Sequence, residues 1–299
     1  MPDSINTRFM GSSSENGETY ATDHDYNLSG QLYHFTMNAA VTIRCTITHH
    51  TATLTIARPT RRNALDTACW HALTDACARI AMDDSIRSVV LCGEGDHFSA
   101  GADIHELREH IADSAWMAGN QAAIANALDA YAALPQPSIA AIRGSCFGGG
   151  AALAAASDFR ICTDDAKFAI TPSKLGLTYR LIDCLRIVDL VGSARAREML
   201  MLARELDATT ALHWGFVTEV VDAARLDDAL AKTVSDTVSR INALSSYSAR
   251  GIKQSLLKIR SGQTGDDAET RAVFAAAFAG ADFAEGAAAF VDKRAPNFR

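Results

Sequence analysis

The feature that most constrains this chain is an alternation. Between Ser88 and Thr163 the apolar runs SVVLCG, SIAAI and FRICT are separated by stretches with helical spacing of their apolar residues. Strands that are apolar throughout need cover on both faces, and helices between them imply parallel pairing through right-handed crossovers. Upstream, VTIRCTI and ATLTIAR alternate apolar and polar residues around Thr48, His49 and His50, which predicts a β-hairpin. The two histidines are adjacent, so in a strand they face opposite sides and do not share a metal; a solvated turn accounts for them. Helices are predicted from Thr67 to about Met82 and through Asn120 to Ala133, ahead of the PQPS break.

From Asp222 onward the pattern changes to Ala-rich helical spacing with almost no strand signal. The expected class is therefore α/β, organised as a strand-and-helix core over residues 38–221 and a helical region over 222–299. Residues 1–37 are rich in Ser, Asn, Gly, Thr and Asp without apolar periodicity, which predicts a flexible extension. Within it, Tyr33–Phe35 offers an aromatic stretch able to dock on a neighbouring surface, and Met37 marks a second plausible start.

A chain of 299 residues with 48% hydrophobic residues can bury one large core. Its net charge of −7 argues against a nucleic-acid or anionic-membrane surface, which needs clustered Lys and Arg to displace counterions. The seven cysteines are scattered, with no CxxC pair and no His/Cys cluster, so they read as reduced, small apolar residues and no metal site is expected. No long apolar run and no secretory leader is visible, so a cytoplasmic protein is expected.

Two Gly-rich corners carry the chemistry: FSAGADIHEL, Phe98 to Leu107, and RGSCFGGGAAL, Arg143 to Leu153. Each follows an apolar strand and opens into a helix. Such a corner is either a tight packing turn or a cradle of free N–H groups at the positive end of a helix. Two facing cradles make an oxyanion hole. Neither corner matches a dinucleotide fingerprint or a P-loop.

FSAGADI, the later IAAIRGSCFGGG, the earlier RPTRRNALD, and the segments TPSKLGL and FVDKRAPNF resemble, in order, motifs of the crotonase (enoyl-CoA hydratase/isomerase) superfamily. The resemblance implies a spiral of ββα units with a C-terminal helical region, assembled as a homotrimer or homohexamer. It implies an acyl-CoA thioester substrate, with coenzyme A as part of the substrate and no separate cofactor. By position, the N–H groups of Ala100 and Gly149 are expected to hold the thioester oxygen. Ala64, Leu65, Gly101, Ala102, Asp103, Ile104 and Thr171 are expected along the CoA path. Arg61, Arg62 and Lys293 are expected near its phosphates, the two arginines having solvated surface as the alternative.

The departures matter as much. Where the resemblance implies two hydratase glutamates, the chain has Ala152 and Ser173. TPSKLGLTYR resembles methylmalonyl-CoA decarboxylase-like members, which carry a Tyr at the position of Tyr179, although their first-motif His is Ala102 here. Decarboxylation of a malonyl-type or glutaconyl-type acyl-CoA, with Tyr179 orienting the carboxylate or returning a proton, is thus one expectation. Hydration or isomerisation through another base, Asp103 or Asp183, is the alternative, and a non-catalytic acyl-CoA-binding protein is a third reading. Asp103 also fits a helix cap, His105 an exposed helix face, Lys174 and Arg180 solvated surface, and Tyr179 a core aromatic.

Overall fold

The computed structural model describes residues 33–35, 42–223 and 229–298. The extension expected over residues 1–37, with the alternative start at Met37, lies outside these apart from Tyr33–Phe35. That stretch forms β1 and pairs antiparallel with β2 (Ile43–Thr48), Tyr33 opposite Ile47. β2 turns back into β3 (Thr51–Ile56) as the predicted hairpin. His49 and His50 both have positive φ, 45° and 68°, as a two-residue hairpin turn demands. Both are exposed, and the His50 ring nitrogen Nδ1 lies 2.9 Å from the Ser85 carbonyl.

There follow α1 (Thr67–Met82), β4 (Ser88–Gly93), α2 (Ile104–Glu109), α3 (Ser114–Ala132), β5 (Ser138–Ile142), β6 (Ser145–Phe147), α4 (Gly149–Ala156), β7 (Phe159–Thr163) and β8 (Lys167–Ala169). The chain continues through α5 (Leu181–Met201), β9 (Leu206–Asp207), α6 (Ala208–Trp214) and β10 (Glu219–Val221). It ends in α7 (Ala229–Asn242), α8 (Ser246–Arg260), α9 (Ala268–Ala279) and α10 (Ala281–Asp292). The main sheet has the order β1-β2-β3-β4-β5-β7-β10, parallel from β3 onward, and β6, β8 and β9 form a second small sheet. This is the mixed α/β architecture expected of the crotonase fold.

α1 matches its predicted span because its N-terminal cap and its inner stripe are encoded. Asp66 caps it by accepting the Cys69 N–H at 2.8 Å, and Cys69, Trp70, Leu73, Cys77 and Ile80 lie on the buried face. α3 begins earlier than the predicted Asn120, because Asp113 caps it through the Trp116 N–H. All seven cysteines are free thiols; burial pushes those of Cys69, Cys77 and Cys162 up to about 12, consistent with inert core residues.

The C-terminal helices dock at the N-terminal ends of the parallel strands. On α8, buried Lys253 donates to Asp158 at 2.7 Å and to the Gln136 carbonyl at 2.8 Å, while Arg250 reaches Asp84 and the Ile86 carbonyl. Arg87, just before β4, donates to the Phe298 carbonyl at 3.1 Å. Lys253→Met is expected to lower unfolding free energy by about 3 kcal/mol in a denaturant titration, because it leaves Asp158 without its cation. No single described helix is long and apolar enough to cross a membrane; α9 and α10 reach that length only as a pair bent by 46°.

Candidate active site

The two Gly-rich corners leave the opposite ends of β4 and β5 from that docking site, and backbone bonds zip them together. Phe98 N–H donates to the Arg143 carbonyl at 2.8 Å, Ser99 N–H to the Ser145 carbonyl at 2.9 Å, and Phe147 N–H to the Ser99 carbonyl at 2.9 Å. The RRNAL loop joins them: Leu65 N–H donates to the Gly101 carbonyl at 2.7 Å and Asp103 N–H to the Leu65 carbonyl at 2.9 Å. Gly101 has φ 95°, and a Cβ there would stand 2.8 Å from the Phe147 carbonyl oxygen. Only glycine permits that approach.

The donor expected at Ala100 is corrected by this geometry. Its N–H already donates to the Arg62 carbonyl at 2.9 Å, so it is not available to a ligand. The N–H groups of Ala102 and Gly149 donate to no backbone acceptor among the described residues. They lie close together: a Cβ built on Gly149 would be 3.7 Å from the Ala102 nitrogen. Gly149 opens α4, where the first N–H groups have no intrahelical partner and carry the positive end of the helix dipole. The arrangement places two unpartnered donors side by side, as stabilisation of an oxygen that gains negative charge requires.

Around them the loop is rigidly held. Asn63, fully buried with φ 55°, accepts the Arg58 N–H at 3.0 Å and donates to the carbonyls of Glu94 at 2.9 Å and His97 at 2.6 Å. Asn63→Ala removes three bonds from a buried site and is expected to cost about 3 kcal/mol of stability, read by thermal unfolding. Arg58 bridges Asp66 and Asp103, each at 3.0 Å, and so ties the caps of α1 and α2 to one guanidinium. Burial alone raises the Asp103 carboxyl, but bonds from Arg58 and from the Glu106 and His105 N–H groups outweigh it and hold it below its ordinary value. Asp103 is therefore a cap and ion-pair member, as one of its three readings has it.

Tyr179 is half-buried, and its hydroxyl donates to the Gly148 carbonyl, beside Gly149. Its proton is engaged in the turn, where the sequence reading had it facing a substrate carboxylate. Burial, then the Asp183 charge and the nearby thiols, raise its pKa well above that of a free phenol. Asp183, the other base considered, is buried and paired with Arg180 at 2.8 Å and Arg186 at 2.6 Å. Arg180 also holds Asp129 at 2.8 Å, so it is not simply solvated. Ala152 is buried on α4 and Ser173 is exposed in the short turn Pro172–Leu175. Thr171 borders Gly148, its Oγ1 lying 3.1 Å from where a Cβ would be.

Of the expected CoA contacts, Ala64, Leu65, Gly101, Ala102 and Asp103 come together in this one corner, with Ile104 exposed at its edge. Arg61 and Arg62 are exposed beside it and His105 and Lys174 are likewise exposed. Lys293 is not brought here by its own chain. It ends α10, whose following segment is pinned at Phe298 beside Arg87, at the far end of β4. A cavity of about 1340 Å³ among α8, α9 and α10 also lies away from the corners, whereas one of about 730 Å³ between α7 and the sheet reaches the second corner at its first residue, Arg143. Sequence reasoning missed Arg58 and Asn63, which were legible only as loop residues, and Trp70, which was hidden in a core stripe.

The profile of the Enoyl-CoA hydratase/isomerase family matches residues 46–299. The chain is 32% identical over 246 residues to a protein of Mycobacterium tuberculosis named probable enoyl-CoA hydratase, covering 82% of this chain and 93% of that one. It is 32% identical over 243 residues to the carnitinyl-CoA dehydratase of Proteus mirabilis, covering 80% and 91%. Among solved structures, an enoyl-CoA hydratase/isomerase family protein from Hyphomonas neptunium superposes with TM-score 0.82 at 33% identity, covering 87% of this chain and 98% of that one. An enoyl-CoA hydratase/carnithine racemase from Magnetospirillum magneticum gives 0.81 at 33% identity, covering 87% and 96%. With matched profile, relatives and architecture agreeing over most of its length, this chain belongs to the enoyl-CoA hydratase/isomerase family.

Proposed function

We propose that this protein binds an acyl-CoA thioester and stabilises its enolate through the N–H groups of Ala102 and Gly149, in a reaction where bond cleavage itself forms the enolate. The observation that carries this reading is the pair of neighbouring, unpartnered N–H groups. Each such donor is worth about 3 kcal/mol to a developing oxyanion. The carbon acid chemistry of a hydratase needs a base as well, and both carboxylates offered for that role, Asp103 and Asp183, are held by arginines. Decarboxylation of a malonyl-type thioester needs none. The bond to the carboxylate breaks, carbon dioxide leaves, its electron pair delocalises onto the thioester oxygen, and a proton then returns to carbon.

Hydration is the second reading, favoured by the names of the relatives from Mycobacterium and Proteus. Incubation with methylmalonyl-CoA and, separately, crotonyl-CoA distinguishes the two. Carbon dioxide release without loss of the enoyl absorbance is the expected result, and efficient crotonyl-CoA hydration overturns it. Binding of both thioesters without turnover leaves the non-catalytic reading.

Tyr179 enters this reading as a support for the turn. Tyr179→Phe is expected to slow turnover about fivefold, in line with one lost hydrogen bond of roughly 1 kcal/mol behind the donor, and to leave acyl-CoA affinity nearly unchanged. The phenol's raised pKa means that no activity transition below about pH 10 arises from it. For assembly, the exposed Phe274, Phe278, Phe290 and Val291 on α9 and α10 support a trimer or hexamer. A monomer by light scattering refutes that part.

A further inference from the structure

We infer that Trp70 is a positioning residue that sets the spacing of the two donors, an inference that rests on the reading of the site just given. Trp70 projects from α1 and is 1% exposed. Its Nε1 is buried and has no hydrogen-bond partner among the described residues. An orphaned buried N–H is destabilising, so packing and not hydrogen bonding holds the indole where it is.

What it packs on is the donor turn. A Cβ on Gly149 would meet Trp70 Cζ2 at 3.0 Å and Cη2 at 3.1 Å, and the Ala102 nitrogen at 3.7 Å. The ring edge therefore stands against the backbone that presents one donor, and the other donor borders the same point. α4 has no means of bracing its own first turn: its sequence is GGAALAAA, with Leu153 its one side chain larger than methyl. The turn is wedged from outside, by Ser99 against Gly150, by Thr171 against Gly148 and by the bulk of Trp70 against Gly149. Hydrogen bonds to a developing oxyanion weaken steeply with misalignment, so the width of this wedge is a catalytic quantity although the indole reaches no substrate atom.

The test uses acetoacetyl-CoA, whose enolate absorbs in the near ultraviolet when its oxygen is held by donors, and butyryl-CoA, which binds without forming one. Trp70→Leu is expected to weaken enolate binding about tenfold or more while butyryl-CoA affinity stays within about twofold, a split expected when donor geometry alone is lost. Gly149→Ala keeps the N–H but collides with the indole, so it too is expected to lose the enolate band. Gly149→Ala combined with Trp70→Phe, which withdraws the colliding atoms, is expected to regain part of it. That rescue keeps the inference testable even if Trp70→Leu folds poorly. An unchanged band in folded Trp70→Leu, or no recovery in the double variant, overturns the inference alone. If the wild-type protein binds neither thioester, the proposed function falls and the inference falls with it.

Discussion

Gly149→Pro is expected to turn over about 10²–10³-fold more slowly than Gly149→Ala, both remaining folded, because beyond the Cβ that the two variants share it deletes one of the two oxyanion donors. Gly149 is the first residue of α4, the helical position at which proline is best tolerated, since its N–H has no intrahelical acceptor. Gly148 before it has φ 49° and ψ −115°, away from the right-handed helical region that a following proline disfavours. Proline does bring a Cβ against Trp70, and Gly149→Ala brings the same atom while keeping the N–H. The difference between the two variants isolates the donor. Steady-state rates on the productive thioester, with circular dichroism on both variants, give the answer. Equal rates for Pro and Ala would mean that crowding, and not the missing N–H, accounts for the loss.

Parts of this site are disclosed by the sequence and parts only by the fold. α1 was legible from Thr67 to Met82 because cap and apolar stripe agree, and the strands at Ser88–Gly93 and Ser138–Ile142 because they are apolar throughout. The strands Ser145–Phe147, Lys167–Ala169 and Leu206–Asp207 went unseen, since two or three residues carry no period. The two corners were legible as glycine at strand-to-helix junctions. Which N–H in AGAD remains free was not, because that depends on the Arg62 carbonyl capturing Ala100, a contact made by a loop far back in the sequence. Asp183 looked like a candidate base for the same reason. Its partners Arg180 and Arg186 are near in sequence, but Asp129, which shares them, comes from α3. Trp70 illustrates the hardest case: a core position by every local criterion, whose other edge meets the active turn only after the fold has closed.

Arg58→Met is expected to lower unfolding free energy by about 3 kcal/mol near neutral pH, and that deficit is expected to shrink as the pH falls. Methionine preserves much of the apolar stem, so the change reads the guanidinium more than its packing. Arg58 is mostly buried, and so is its partner Asp103; losing the cation strands a carboxylate beside the caps of α1 and α2. The pH dependence follows from the direction of the Asp103 shift. In the folded protein its carboxyl titrates below the value of about 4 that it has when unfolded, so the pair contributes stability that is fully present above that value. As pH falls through the unfolded and then the folded pKa, protonation removes the contribution from the wild type, and the variant, left with the His105 and Glu106 N–H bonds alone, has less to lose. Urea titrations of both proteins at pH 7 and near pH 3 are expected to give converging curves at the lower pH. A deficit of the same size at both pH values would show that Arg58 acts through its contact with the Ala64 carbonyl and its packing, and that the charge bridging the two caps contributes nothing to the corner's stability.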